Sequence, residues 1–219
     1  MNSKVSTAEL VKFLKQKTVH SASFLDNIKI AYRPYVCPFD DILNYMDNEK
    51  SVFDFGCGSG MLLSLIDEYK MPTKLGGCEI TEELVKNANE VIAAKGKESK
   101  VYLFDGHSIP EEISNYDYIT MIDVLHHIPK KKQLVFLKQL VGKMKVGSEF
   151  ILKDIKKESI LSYWNKIHDL LLSGEIGNEM NSIKLKSFFE EDPSLEVVAY
   201  TSRRMLLYPH FTLTLKKIK

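Results

Sequence analysis

Cysteine is scarce, with only Cys37, Cys57 and Cys78 in 219 residues. An odd number without a C-x-x-C pair supports neither a disulfide framework nor a paired-thiol motif, so a reducing cytoplasm is the expected compartment. Long apolar runs are missing too. None approaches the roughly 20 residues of a bilayer-spanning helix, and the opening MNSKVSTAELVKFLK is amphipathic where an export signal would be continuously apolar. The chain is therefore expected to be soluble and unexported. Neither sign of charge dominates: 30 Lys and Arg face 29 Asp and Glu, and a net charge of +1 gives no bulk attraction to nucleic acid or anionic lipid. With 7 Pro, 11 Gly and 44% hydrophobic residues, collagen-like, low-complexity and disordered classes are excluded and a large core can be buried. No repeat or Pro/Ser-rich linker divides the sequence, and one domain is expected.

What is present is an alternation of short apolar runs and helical patterns. Up to residue 46 the chain reads as helices: Ser6 and Glu9 have capping-box spacing, and Leu10, Phe13 and Leu14, then Phe24, Leu25 and Ile28, recur at helical intervals. These helices need a body to pack on. Residues 51–55 read as a strand, followed by the glycine cluster 56–60 and a helix over 61–69. A second strand over 75–80 leads through Thr81, a plausible N-cap, into a helix reaching residue 94; a third strand covers 101–104. Strands over 116–122 and 150–152 flank a helix over 131–143, whose opening run Lys130 to Lys132 reads as a solvated face. Strands alternating with helices imply a parallel sheet covered on both faces. The end breaks that rhythm. Helices are expected over 155–172 and 181–191, then strands over 196–201 and 211–217 with no helix between. In the last, Phe211, Leu213 and Leu215 alternate with Thr212, Thr214 and Lys216, as in a half-covered antiparallel strand, so a hairpin should close the sheet.

In Asp54-Phe55-Gly56-Cys57-Gly58-Ser59-Gly60, glycines at alternate positions let the backbone turn sharply and approach a ligand without an intervening Cβ. That predicts a cofactor crevice at the carboxyl end of the strand. A nicotinamide fingerprint fits poorly, because its third small residue would fall on Met61 or Leu63; no Gly-Lys-Ser/Thr follows, which excludes a P-loop. Asp54 at the strand end would repel a pyrophosphate and suits a cationic or zwitterionic ligand better. Cys57, with nothing basic beside it in sequence, reads as a small residue filling the turn.

Over about residues 50–155 the sequence resembles the class I S-adenosylmethionine-dependent methyltransferases. FDFGCGSG resembles their first motif, GGCEIT their second, LFDGHSIP the adenine-binding segment and YITMIDVLHHIP the fourth. The resemblance implies a Rossmann-like, doubly wound, mostly parallel seven-stranded sheet with an antiparallel C-terminal strand. It also implies S-adenosylmethionine as cofactor and S-adenosylhomocysteine as product. On that footing, Asp54, Gly56, Cys57, Gly58 and Gly60 would lie against the methionine part. Glu79, 19 residues past Gly60, would hold both ribose hydroxyls. Asp105 with Gly106 would meet the adenine amino group, Ile80 would pack on the ring, and Asp123 would line the pocket. Residues 1–46 would form a helical cap, 47–155 the cofactor-binding core, and 156–219 the substrate-facing helices and hairpin. The N-terminal helices would lie over the cofactor as a lid, with Arg33 paired to an acid.

Methyl transfer to a weakly acidic hydroxyl needs a general base, whereas an amine or thiol already deprotonated does not. His126 and His127, after the fourth strand, and His168, on the helix expected after the fifth, are the candidate bases. His107 reads as a surface or cap residue, and no spacing among the histidines marks a metal site. Asp123-Val124-Leu125-His126 stands where base- and glutamine-directed enzymes carry Asn/Asp-Pro-Pro-Tyr/Phe, and no Pro-Cys nucleophile is present, which disfavours nucleic acid as partner. A small or medium acceptor methylated on oxygen, such as a metabolite, lipid precursor or glycan unit, is the expectation. The alternatives are N-methylation of a protein or RNA group and a cofactor-binding regulator without turnover.

Overall fold

The computed structural model describes residues 4–16, 24–92, 99–157, 178–206 and 208–219. Internal contacts divide the chain into two units, Met1–Ser108 and Ile109–Lys219.

The N-terminal unit opens with α1 (Thr7–Lys15), whose capping box is complete: Ser6 accepts from the Glu9 amide while Glu9 accepts from that of Ser6. Leu10 and Leu14 are buried from this helix. It packs on α2 (Phe24–Tyr32), on a 3-10 turn at Arg33–Tyr35 and on α3 (Phe39–Tyr45), and Thr7 Oγ1 donates to the buried Asp40 at 2.9 Å. Three parallel strands follow, β1 (Val52–Phe55), β2 (Leu75–Glu79) and β3 (Ser99–Leu103), with Val52 opposite Leu75 and Leu75 opposite Ser99. Every residue of β1 and β2 is buried, which is why these stretches read as apolar and glycine runs rather than alternations. Between them lie α4 (Met61–Lys70) and α5 (Glu82–Ile92). Each helix is entered from the carboxyl end of a strand, and that is where ligand-facing residues collect.

The C-terminal unit holds β4 (Tyr118–Ile122), α6 (Lys130–Lys143), β5 (Glu149–Ile155), α7 (Ser182–Glu190), β6 (Leu195–Met205) and β7 (Tyr208–Lys217). A 3-10 turn at Leu125–His127 follows β4. β4 and β5 are parallel, and β7 runs antiparallel to both β5 and β6. All seven strands form one sheet in the order β3-β2-β1-β4-β5-β7-β6, the Rossmann-like arrangement with its antiparallel member near the end.

Three expectations shift. β5 continues through Ile155, so the helix expected from 155 does not begin there; the remainder of that stretch, with Tyr163, Trp164 and His168, lies outside the described residues. β6 and β7 run well past 196–201 and 211–217, pairing up to Met205 with Tyr208. On β7 Phe211, Leu213 and Leu215 are buried and Thr212 and Lys216 part-exposed, as the alternation predicts, but Thr214, on the same face as those two, is buried. No helix among the described residues is long and apolar enough to cross a membrane.

Candidate functional site

The glycine loop follows from the backbone it must satisfy. At the end of β1, the amides of Gly56 and Cys57 both donate to the Cys78 carbonyl, at 2.8 and 3.1 Å, fastening the turn to β2. Gly60 takes φ +78°, and a Cβ there would sit 2.9 Å from the Ala88 Cα, so only glycine lets the loop lie this close to α5. Gly58 differs. It also has a positive φ, +54°, but a Cβ on it would meet nothing within 4 Å, so this face of the loop is open.

Glu79, at the end of β2, is buried and accepts three backbone bonds: Oε1 from Ile80 at 2.7 Å and Thr81 at 3.0 Å, Oε2 from Gly58 at 3.0 Å. The carboxylate therefore joins the glycine loop to the β2 turn. Of its roughly four acceptor directions, one on Oε2 is left. That meets one hydroxyl of a vicinal diol; the second would share an oxygen already holding an amide. Beside it Ile80 is 64% exposed, an apolar side chain left uncovered, and a Cβ on Gly106 would lie 3.6 Å from its Cδ1. Asp105 accepts the amides of His107 and Ser108 through Oδ1, at 2.7 and 2.8 Å, which hold its carboxyl below the usual carboxylate range. Its second oxygen takes no part in that turn. His107 is exposed, as expected for a surface residue, while Asp54 is buried.

Cys57 is buried, and its thiol is pushed well above the ordinary cysteine range, by burial first and then by the charges of Asp54 and Glu79. It remains a thiol and not a nucleophile. The folded state thus keeps a proton that the unfolded thiol loses above about pH 8.5. The contribution is complete below that pH and falls above it, by at most about 1.4 kcal/mol per pH unit. Urea unfolding at pH 8, 9 and 10 should show wild type losing stability relative to Cys57→Ala across this range, and parallel losses would refute the shift.

In the C-terminal unit, Asp123 ends β4 with φ +57°, a backbone region that costs a non-glycine residue energy. Lys153 on β5 holds it twice: its carbonyl accepts the Asp123 amide at 3.0 Å, and its fully buried Nζ lies 2.6 Å from Asp123 Oδ1. The next residue of β5, Asp154, accepts the His126 amide through Oδ2 at 3.1 Å and contacts His126 Nδ1 through Oδ1 at 2.6 Å. With the Ile155 amide also on Oδ1 at 2.7 Å, Asp154 faces three donors, so the imidazole carries its proton on Nδ1 and its basic lone pair on Nε2. His126 is 5% exposed; His127 is exposed, its ring 4.1 Å away. Gln133 secures this turn. Fully buried on α6, its Nε2 donates to the carbonyls of Leu125, Ile128 and Asn178, while the Asn178 amide donates to the His126 carbonyl at 2.8 Å.

Asp123, His126 and Asp154 offer ligand atoms within 4.8 Å of one another. A metal would have to displace the Lys153 ammonium from Asp123 and the imidazole and amides from Asp154, so this set is already bonded from within. Sequence reasoning found His126 and Asp123 but missed Lys153 and Asp154; their signal was the pair of charges inside an otherwise apolar strand, Phe150 to Ile155.

Residues 53–150 match the family described as "Methyltransferase domain". Among solved structures, magnesium protoporphyrin IX methyltransferase from Synechocystis PCC 6803, determined with bound SAH, is 16% identical and superposes with a TM-score of 0.66, covering 97% of this chain and 95% of that one. A SAM-dependent methyltransferase from Aquifex aeolicus is 18% identical, with TM-score 0.64 and coverage of 98% and 100%. The Haloferax volcanii protein solved in complex with the Trm112 methyltransferase activator is 14% identical, with TM-score 0.73 and coverage of 96% and 98%. No curated protein matches the sequence significantly. Residues 53–150 thus resemble a methyltransferase domain, and the chain shares the Rossmann-like fold of those structures.

Proposed function

We propose that the protein methylates an oxygen of a small or medium-sized acceptor. The observation supporting oxygen is the buried Asp154–His126 pair at 2.6 Å, a fixed imidazole with its lone pair on Nε2. A hydroxyl must lose its proton as the new bond forms, and a positioned base lowers that barrier by about 10²–10⁴-fold in rate. The cofactor, when bound, supplies a methyl group on a positively charged sulfur. Everything else falls to the protein: hold, orient, and take up a proton.

On this reading Gly58 gives the open backbone face against the cofactor, with Gly56 and Gly60 setting the turn and Asp54 and Cys57 filling beneath it. Glu79 holds the ribose, Ile80 gives the adenine an apolar platform, and Asp105 receives its amino group. The fit rests on the space beside Gly58 and on the uncovered Ile80. Calorimetry with S-adenosylhomocysteine should show one site, weakened by about 1 to 3 kcal/mol in Glu79→Ala; undiminished affinity would remove the ribose assignment. The acceptor is tested by incubating the protein and methyl-labelled S-adenosylmethionine with fractionated extracts and locating the label by mass spectrometry. A methyl ether or ester of a small molecule is expected. A methylated amine would overturn the oxygen assignment, and label confined to polypeptide or RNA would overturn the acceptor size.

A further inference from the structure

A cavity of about 450 Å³ opens in the C-terminal unit. Lys130 and Leu134 of α6, Lys157 after β5, and Lys184, Leu185 and Phe188 of α7 line it. No carboxylate is among its described lining residues. Its size falls within the range of small-molecule sites.

Charge here is placed against the interest of the helices. α6 begins with Lys130, Lys131 and Lys132, α7 carries Lys184 in its first turn, and neither first turn contains an acid. A helix N-terminus is already positive, so cations there cost stability and anions are favoured. Lys130 and Lys184 have no ion-pair partner among the described residues. The surface between them is apolar. Leu134 stays 37% exposed beside the lysines, and the Phe188 ring lies 5.0 Å from the Nζ of Lys138, which adds another cation at this end. An inorganic anion would use the ammonium groups and waste the apolar wall; a neutral apolar molecule would do the reverse. Local rules broken together in this way mark a site rather than a scaffold.

We propose that this cavity binds an amphiphilic anion, a single carboxylate or phosphate-monoester head on an apolar body, with Lys130, Lys157 and Lys184 taking the head and Leu134, Leu185 and Phe188 the body. The site goes beyond the methyl-transfer reading and does not depend on it.

Calorimetry with four probes tests it: octanoate, octyl phosphate, 1-octanol and inorganic phosphate. One of the two amphiphilic anions should bind one to one, and which is tighter identifies the head. Octanol and inorganic phosphate, each lacking half of the ligand, should bind at least about tenfold more weakly. Added salt should weaken the anion and leave octanol unaffected. Lys130→Gln combined with Lys184→Gln should lose about a hundredfold in affinity, with a thermal midpoint no lower than that of wild type and its S-adenosylhomocysteine affinity. Leu134→Gln should weaken octanoate and spare inorganic phosphate. Octanol binding as tightly as the anions, no saturable binding by either anion, or unchanged affinity in the double variant would each overturn the proposal.

Discussion

Lys153→Met is expected to destabilise the protein by about 3–5 kcal/mol, the cost of leaving one member of a buried ion pair behind. The side chain of Lys153 is fully buried and that of Asp123 is 14% exposed, so neither charge is well served by water once its partner is gone. A native domain is stable by only about 5–15 kcal/mol, and the loss would be visible as a large drop in the urea midpoint. Lys153→Met with Asp123→Asn should recover most of it, because the second change removes the stranded carboxylate. A double-mutant cycle gives the coupling, and near-additive losses would mean that the pair contributes nothing beyond its separate side chains. The φ of +57° at position 123 is common to wild type and variant and asparagine tolerates it, so the backbone adds no penalty to the double variant.

His126→Gln should lower kcat by about 10²–10⁴-fold with little change in S-adenosylhomocysteine affinity, since a base acts only as the acceptor loses its proton. Asp154→Asn should lower kcat as well, because an amide accepts from Nδ1 weakly and no longer fixes the tautomer. The two changes act on one unit, so the double variant should be scarcely worse than His126→Gln alone. The pH profile separates a base from a structural residue: wild-type kcat should show an acidic limb that His126→Gln loses. A variant that keeps the acidic limb would assign the base elsewhere, His127 first.

The N-terminal unit was largely legible in the sequence because its signals are local. A capping box, an apolar run and a glycine cluster are each fixed by neighbours a few residues apart, and Ser6, β1 and the loop to Gly60 lie where they were expected. Glu79 could be placed by its distance from the loop, but its three amide partners could not, since Gly58 is 21 residues away and reaches it through strand pairing. The C-terminal unit was harder to read. Lys153 and Asp154 matter through Asp123 and His126, 30 and 28 residues earlier, and a lone sequence gives no hint that parallel strands will set them side by side. β7 misled at one position: threonine at alternate places suggests an outer face, and Thr214 is covered where Thr212 and Lys216 are part-exposed.

The same turn that holds His126 also fixes where the chain comes back to it. Departure is set by the Lys156 amide on the Pro209 carbonyl, and return by the Asn178 amide on the His126 carbonyl, locked by Gln133. Each of these amide–carbonyl bonds is made by backbone atoms of described residues, so a change of side chain at Lys156 or Asn178 leaves both anchors available.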